Sequence, residues 1–592
     1  MCGIIGQINS RQPVDKILFE QMRDTLVHRG PDGYGLYLSE DKKAALGHRR
    51  LSLIDLSDNA SQPIHNENKT IWITVNGEIY NYRQLKKELT EKGHNFYTNT
   101  DSEVIVHAYE EWNTELFNKL KGMFSIGIWD EKSKKLILAR DRFGIKPLYY
   151  FADKDKFIFA SEIKGIIKNC KVPRNINYSS FCNYFTYRYI PSPETIWENI
   201  YKLPPAHFLT FENDTISTTK YWELKVRENR PNEKEAIDIV NNYLSNSVKD
   251  HLQADVDVGT FLSGGYDSSA LVYYQNLLNY RGKTFSLGFE NWNMSEHKFA
   301  KIVSDKFNTM HEEEIISVDN YENIDQLLYY YDEPIADISI LPTYMVSQLA
   351  SKGVKAVVSG EGADEIFAGY TWQTNDLSNY DFKSKLYYLY KNYLSRKSNK
   401  YSVKDYSEAM SMGLYDTSSL HRLLNKDLSS NIPDDPFWFY SKFYKPELSE
   451  VKRFQYLDIN TFMQELILTK IDRASMANSL EVRVPFLDHN LVEYMFSLNE
   501  DVYLKKNIKK FLLYENIKNH LPQIILNRKK QGFVGPDRFY NNKTWYKELI
   551  MNGKLLKEKI IDKTEVDNLL ARNDYWRLWK IAIMELWYSK WN

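Results

Sequence analysis

Cys2 is the first residue whose type and place could do chemistry. Removal of Met1 would leave one residue carrying both a thiol and a free α-amine, a nucleophile with its own base. A free α-amine has a pKa of about 7.7–8.0, so near neutral pH an uncharged fraction can take the thiol proton directly or through water. Far along the chain, Ser263-Gly264-Gly265-Tyr266-Asp267-Ser268-Ser269 follows the apolar run DVDVGTFL and opens a helical pattern. Its backbone N–H groups and the helix N-terminus would face one small anion, which makes it a phosphate site. It lacks the lysine of the GxxxxGK[ST] loop. A second glycine-rich acidic stretch, Ser359-Gly360-Glu361-Gly362-Ala363-Asp364-Glu365, follows the apolar run VKAVV.

The elements that must position these residues differ between the two ends of the chain. From Ile71 to Ser161 short strands dominate (IWITV, GMFSIGIW, KLILA, KPLYYF, KFIFA), separated by charged turns, with a helix over Tyr82 to Lys92. After about Asn183 the pattern becomes irregular, with Pro191, Pro193, Pro204 and Pro205, and then polar from Glu223 to Glu235. Beyond that, strands alternate with helices, including a helix from Ser269, which argues for a parallel α/β sheet. Both glycine-rich loops would then lie at the sheet's carboxyl edge, where ligands collect. From Tyr380 onward amphipathic helical segments prevail, and no internal repeat is evident. The expected units are residues 1–210 and 230–592, an α+β unit followed by an α/β unit with a helical C-terminal part.

The chain has 592 residues, with 77 Lys+Arg against 78 Asp+Glu. That balance lacks the basic excess of a nucleic-acid binder. Three cysteines without a CxxC pair fit neither a disulfide framework nor a thiolate zinc site. No signal peptide or apolar membrane span is recognised, so a cytoplasmic protein is expected.

Four stretches near the start resemble class II glutamine amidotransferases: Cys2-Gly3-Ile4-Ile5-Gly6, His28-Arg29-Gly30-Pro31-Asp32-Gly33, His48-Arg49-Arg50-Leu51-Ser52 and Asn76-Gly77-Glu78-Ile79-Tyr80-Asn81. The resemblance implies an N-terminal-nucleophile fold, an αββα sandwich. With glutamine as substrate, its α-carboxylate wants a planar guanidinium. By motif position that residue is Arg50, with Arg49 less favoured. Attack on the amide develops a negative oxygen that needs donors such as the Asn76 side-chain amide and the Gly77 N–H. The α-ammonium wants carboxylates, and the resemblance assigns Glu78 a backbone-adjacent contact and Asp101, in Thr100-Asp101-Ser102-Glu103, the ammonium itself. Asn76-Gly77 is also a good turn dipeptide, and Arg50 or Asp101 taken singly could be a surface charge. Asp141 to Tyr150 matches the same family as a mainly structural turn.

The loop Ser263 to Ser269 resembles the pyrophosphate loop of ATP pyrophosphatases. Asp267 is then a candidate for magnesium, since a carboxylate there would otherwise repel the nucleotide. Together with the loop Ser359 to Glu365, and with the long match from Ile471 to Asp488, it makes the whole chain similar to the glutamine-hydrolysing asparagine synthetase family. The resemblance places ATP at Leu262, Ser263, Gly264, Gly265, Asp267, Ser268, Ser269, Leu287, Ser359 and Gly360. It implies Mg2+ at Asp267 and Asp364, with Glu361 orienting the acceptor or acting as general base. Helix N-capping for Asp364 and solvation for Glu361 are the plainer alternatives. In Arg528-Lys529-Lys530-Gln531-Gly532-Phe533 the resemblance selects Lys530 to stabilise departing pyrophosphate, where a solvated basic patch is the alternative.

Two departures bear on the acceptor. Tyr266 stands where many asparagine synthetases carry leucine, and Val-Gly-Pro after Phe533 replaces the commoner Gly-Val-Pro. The segment Tyr331 to Asp337 resembles both asparagine synthetases and enzymes amidating other carboxylates, including sugar uronic acids. The expected reaction is amidation of a carboxylate, aspartate favoured, through an acyl adenylate. Its ammonia would come from a Cys2 thioester of glutamine. A homodimer is compatible with this reading.

Overall fold

The computed structural model describes residues 2–317, 324–374, 403–505, 508–528, 531–536 and 540–592. Its first half is built on two antiparallel sheets. One contains β1 (Gly3–Asn9), β2 (Gly33–Leu38), β3 (Ala44–Arg50), β8 (Tyr149–Ala152), β9 (Lys156–Ala160) and β10 (Ile200–Lys202). The other contains β4 (Ile64–His65), β5 (Ile71–Ile79), β6 (Gly122–Asp130), β7 (Lys135–Arg140), β11 (His207–Glu212) and β12 (Thr215–Lys220). Their orders are β10-β8-β9-β1-β3-β2 and β12-β11-β7-β6-β5-β4.

Period-two alternation decides which side chains meet. Ile4 and Ile8 of β1 pack with Trp129, Leu136 and Leu138 between the sheets. Ile5 turns the other way, towards Phe19, Met22, Ile163 and Ile166 of the helices on that side. On the far side of the second sheet, Ile73, Val75 and Ile126 cover Leu85, Leu89 and Val106. The layers are therefore helix, sheet, sheet, helix, the αββα sandwich expected from the family resemblance. Each buried aliphatic side chain stabilises this arrangement by roughly 1.5–3 kcal/mol before entropy is counted. β1 is a central strand, paired to β3 at Gly3↔Arg49 and to β9 at Ile5↔Ala160. Cys2 thus stands at the beginning of a strand buried on both faces.

The second half carries a parallel sheet of order β15-β14-β13-β16-β17. Its strands are β13 (Val258–Phe261), β14 (Lys283–Phe289), β15 (Met310–Ile316), β16 (Ala356–Val358) and β17 (Glu481–Arg483). The chain runs outward from β13 to β15, then returns to place β16 on β13's other side. This reversal opens a crevice at the carboxyl ends of β13 and β16. Helices Tyr266–Leu277, His297–Phe307 and Ile340–Ser351 make crossovers, and the closing helix Tyr575–Trp591 buries Trp579 and Trp587. No helix among the described residues is long and apolar enough to cross a membrane.

Several expectations need revision. The helix after the first glycine-rich loop begins at Tyr266, not Ser269, because Gly265 takes the extended N-cap conformation. The chain after Asn183 is not irregular throughout. The helix Tyr178–Tyr187 continues past it, and β11 and β12 extend the second sheet to Lys220. Ile471 to Asp488 falls within the helical pattern expected after Tyr380, yet it is helical mainly at its start. The helix Leu468–Met476 ends, and Glu481–Arg483 leaves it to become the edge strand of the parallel sheet. The helical pattern expected from Tyr380 begins outside the described residues.

Candidate functional site

Cys2 is buried, with its backbone nitrogen donating to Asn76 Oδ1 at 3.0 Å and its carbonyl accepting from Arg29 Nε at 3.1 Å. Burial pushes its thiol above the usual cysteine range, against the nearby Arg50 charge. Asn76 lies on β5, where it pairs with Ser125 of β6, and its Nδ2 reaches Ser125 Oγ at 3.4 Å. At the next residue, Gly77 has φ +154°, and a Cβ there would sit 2.0 Å from the Met123 carbonyl oxygen. Only glycine fits that approach. Arg50, at the end of β3, donates to the carbonyls of Ser57, at 2.8 Å, and Asp55. Its fork thereby supports the loop over the site.

Glu78 and Asp101 converge with two residues from the far half of the chain. Asp101 Oδ2 accepts from Ile79 N at 2.6 Å, while Glu78 Oε2 lies 3.2 Å from Arg483 Nη2. Arg483 also holds Glu481 at 2.5 Å and donates to the carbonyls of His251 and Gln253 at 2.8 and 2.7 Å. Burial raises the carboxyl groups of Glu78 and Asp101 above the usual range. Burial opposes the charge of Glu481 too, but Arg483 and Lys146 are among the cations that hold it at about 2. One guanidinium among three buried carboxyls favours one ionised partner over three.

The turn Asp141 to Lys146 is structural: Asp141 accepts backbone N–H bonds from Phe124, Phe143, Ile145 and Lys146 at 2.9–3.2 Å.

The second constellation surrounds the crevice of the parallel sheet, a cavity of about 1200 Å3. Leu262, Ser263, Gly265, Asp267 and Ser268 line it from the loop after β13. Leu287 lines it from β14, and Ser359, Gly360, Glu361 and Asp364 from the loop after β16. Ser263 Oγ lies 3.1 Å from Ser268 Oγ and accepts from Gly265 N at 3.2 Å, which closes the loop on itself. Gly264, at φ +70°, instead presses against the Phe299 backbone, and Ser269 is fully buried behind the loop. The structure therefore brings together ten of the residues expected here and sets Gly264 and Ser269 behind them as supports.

Sequence reasoning missed Lys510. Its ammonium lies 2.6 Å from both carboxylate oxygens of Asp267 and 2.6 Å from Asp364 Oδ1, between the two loops. Although burial opposes its charge, Asp267 and Asp364 raise its pKa. It holds φ +49°, a conformation that costs a non-glycine residue energy and recurs at functional sites. Lys530 lies outside the described residues. Arg528, from the same basic segment, donates to Ser263 O at 3.1 Å and pairs with Glu296 at 2.6 Å. Arg188, Asp337 and Lys470 line the same cavity, with Lys470 donating to Ser339 Oγ at 2.9 Å. Nothing in the sequence marked Lys510 or Arg188, since neither belongs to a motif.

The two sites are joined by buried charge. Arg29 makes paired bonds to Asp472 at 2.9 and 3.0 Å and one to Glu162 at 2.8 Å. Glu162 also meets Arg473 at 2.8 Å and His28 at 3.0 Å. Asp472 lies on the helix that carries Lys470 to the cavity.

The glutamine amidotransferase domain family matches residues 1–222, and the asparagine synthase family matches residues 240–589. Asparagine synthetase [glutamine-hydrolyzing] 1 of Bacillus subtilis is 33% identical, covering 100% of this chain and 96% of the relative. Amidase chry2 of Gibberella zeae is 28% identical, covering 96% and 93%. A solved glutamine phosphoribosylpyrophosphate amidotransferase from B. subtilis aligns with TM-score 0.30 and 16% identity, over 53% of this chain and 65% of that one. With both family matches in one chain and a full-length relative at this identity, the chain belongs to the asparagine synthase family and is a glutamine-dependent amidotransferase of the carbon–nitrogen ligase type.

Proposed function

We propose that this enzyme converts aspartate to asparagine through an acyl adenylate, releasing AMP and pyrophosphate, in a reducing cytoplasm. The reading divides the chain into a glutaminase unit over 1–210, with an edge reaching Lys220, and a synthetase unit over 230–592. With Met1 removed, the Cys2 nitrogen now resting on Asn76 Oδ1 becomes an α-amine placed to take the thiol proton. The thiolate attacks the glutamine amide, and Asn76 Nδ2 with the Gly77 N–H supports the developing oxyanion. Arg50 takes the α-carboxylate. The α-ammonium brings a second cation to Glu78 and Asp101, whose buried carboxyls otherwise resist ionisation.

At the crevice, the loop Leu262–Ser269 with Ser359 and Gly360 cradles ATP while Leu287 packs nearby. Asp267 and Asp364 already converge on one cationic atom, Lys510 Nζ, a donor set suited to Mg2+. Bound there, Mg2+ would neutralise phosphate charge. Lys510 faces the departing pyrophosphate, a role that Lys530 could share. Glu361 orients the acceptor or takes a proton from ammonia as it attacks.

The observation that carries the aspartate assignment is the cavity wall beyond the ATP loops, where Arg188 and Lys470 stand beside Asp337. The Asp337 carboxyl, though buried, is held below its usual range by Lys470 and Arg188. Two cations and a carboxylate suit an acceptor with two carboxylates and an ammonium. Amidation of another carboxylate, such as a sugar uronic acid, keeps every other step, and a uronic acid offers no ammonium to Asp337. Exchange of labelled pyrophosphate into ATP tests this directly: aspartate should support it and glucuronate should not. Exchange with glucuronate alone would transfer the assignment to a sugar acceptor.

A further inference from the structure

Away from both sites, the first half of the chain brings two histidines and four glutamates together. Glu67 lies in the turn between β4 and β5, and His94 follows the helix Tyr82–Glu91. Glu103 precedes the helix Val104–Trp112, which carries His107, Glu110 and Glu111. His107 and Glu110 are three residues apart and share a helix face.

Nδ1 of His94 lies 3.7 Å from Glu67 Oε1 and 3.7 Å from Glu110 Oε2. Nδ1 of His107 lies 3.6 Å from Glu67 Oε2 and 3.7 Å from that same Glu110 oxygen. The ligand atoms of these four residues all fall within 4.8 Å of one another. Such separations are too long for N–H···O bonds, which end at about 3.2 Å. They approach the edge of a zinc tetrahedron, where bonds of about 2.0–2.1 Å set neighbouring ligand atoms about 3.3–3.4 Å apart. His107 is fully buried, and neither of its ring nitrogens has a hydrogen-bond partner. A buried imidazole left in that state needs a reason. The four groups converge, each histidine Nδ1 within ion-pair reach of both carboxylates but beyond hydrogen-bond length.

The outer nitrogens are arranged to match. His94 Nε2 lies 3.3 Å from Glu111 Oε1 and His107 Nε2 lies 3.5 Å from Glu103 Oε1. A carboxylate behind each histidine is the arrangement that orients imidazoles towards a metal. Two neutral imidazoles and two carboxylates also balance the charge of one divalent ion.

We propose that Glu67, His94, His107 and Glu110 bind one zinc-class divalent cation in a closed, four-coordinate structural site. Its place in the fold explains its use. Glu103 accepts from Tyr97 N and Thr98 N at 2.8 and 2.7 Å, and the same connector continues to Asp101. The ion would tie together the β4–β5 turn, this connector and the helix behind it.

The test uses the full-length protein, stripped with a chelator and titrated with zinc chloride or cobalt chloride without ATP. One equivalent should bind per chain and raise the melting temperature. The cobalt form should show the intense visible bands of tetrahedral coordination without sulfur-to-metal charge transfer. His94→Gln and Glu110→Gln leave buried His107 in place and should weaken binding on the order of tenfold or more with an unchanged far-ultraviolet spectrum. Cys2→Ala should keep the equivalent. Absence of stoichiometric binding in the wild type, equal binding by a well-folded His94→Gln, or loss of the metal in Cys2→Ala would each overturn the proposal.

Discussion

In the proposed function Cys2 and Lys510 serve the two halves of the chemistry, and replacing them should separate those halves. Cys2→Ala removes the nucleophile at a strand end whose backbone bonds to Asn76 and Arg29 do not involve the thiol. Glutamine-dependent amidation should vanish while synthesis from added ammonium salt persists. Lys510→Met should do the converse: glutamine hydrolysis continues, and synthesis from either nitrogen source falls by about 10²–10³, the usual effect of removing one preorganised charge partner. Parallel glutaminase and pyrophosphate-release assays check both variants. If Lys510→Met also stopped glutamine hydrolysis in a folded protein, Lys510 would have to be a structural rather than a charge-stabilising residue. The two residues also differ in how legible they were. Cys2, Asn76 and Gly77 sit in short contiguous motifs whose chemistry can be read locally. Lys510 is one of 77 basic residues and is distinguished only by the two distant carboxylates that meet it in space. The local signal of Gln531-Gly532-Phe533 points to Lys530, which lies outside the described residues, and no linear pattern points to Lys510.

At the level of elements, hydrophobic period did most of the reading. The alternation in β5, β6 and β7 and the change to strand–helix alternation after residue 250 were visible in one dimension, because burial on one or both faces writes itself into the sequence. Short elements held by distant partners were not. β17 has three residues, and they are strand only because Ala356–Val358 offers a free edge. The helix Glu450–Asn460 poses another problem that sequence hides: Lys452 is buried, donating to the Met495 carbonyl at 2.9 Å, with its ammonium 4.9 Å from the Tyr503 ring centre. Burial pulls its pKa down to about 7, with Glu500 opposing. The unfolded chain, with a lysine near 10.4, then binds more protons than the folded one between about pH 7 and 10. Stability from this group therefore rises with pH across that window and is lost as pH falls towards 7. Lys452→Met, close in length, should raise stability at pH 7 by on the order of 1–2 kcal/mol and remove that part of the rise. Urea unfolding of both proteins at pH 7 and 9.5 reads the difference. An equal gain between the two pH values in both proteins would mean that Lys452 stays charged in the fold.

At the scale of the whole molecule the proposed function poses a coupling problem, because it requires ammonia made at Cys2 to reach Glu361 without meeting bulk water, where it would be protonated. The elements between the sites are fully buried and charged. Arg29 holds the Cys2 carbonyl on one side and Asp472 on the other, and the helix Leu468–Met476 carries both Asp472 and the cavity residue Lys470. Glu162, Arg473, Lys164 and Asp332 complete the network, with Lys164 and Asp332 at 2.7 Å. Removing one member of a buried ion pair commonly costs 3–5 kcal/mol because it strands the partner, so the mildest change is the useful one. Asp472→Asn keeps the shape and one hydrogen-bond acceptor for Arg29, but removes the charge that, with Glu162, balances two guanidinium groups. It should loosen this seam without emptying either site. Glutamine hydrolysis and ammonia-dependent synthesis should each stay within about tenfold of wild type. The ratio of glutamate released to pyrophosphate released during glutamine-dependent turnover should rise, because ammonia now escapes. Isotope competition sharpens the readout: with amide-labelled glutamine and unlabelled ammonium present together, the wild type should place mostly label in the product, and Asp472→Asn should place less. An unchanged label fraction in a folded variant would show that ammonia takes a route that does not depend on the Arg29–Asp472 contact, and would leave that contact only the task of holding the two halves together.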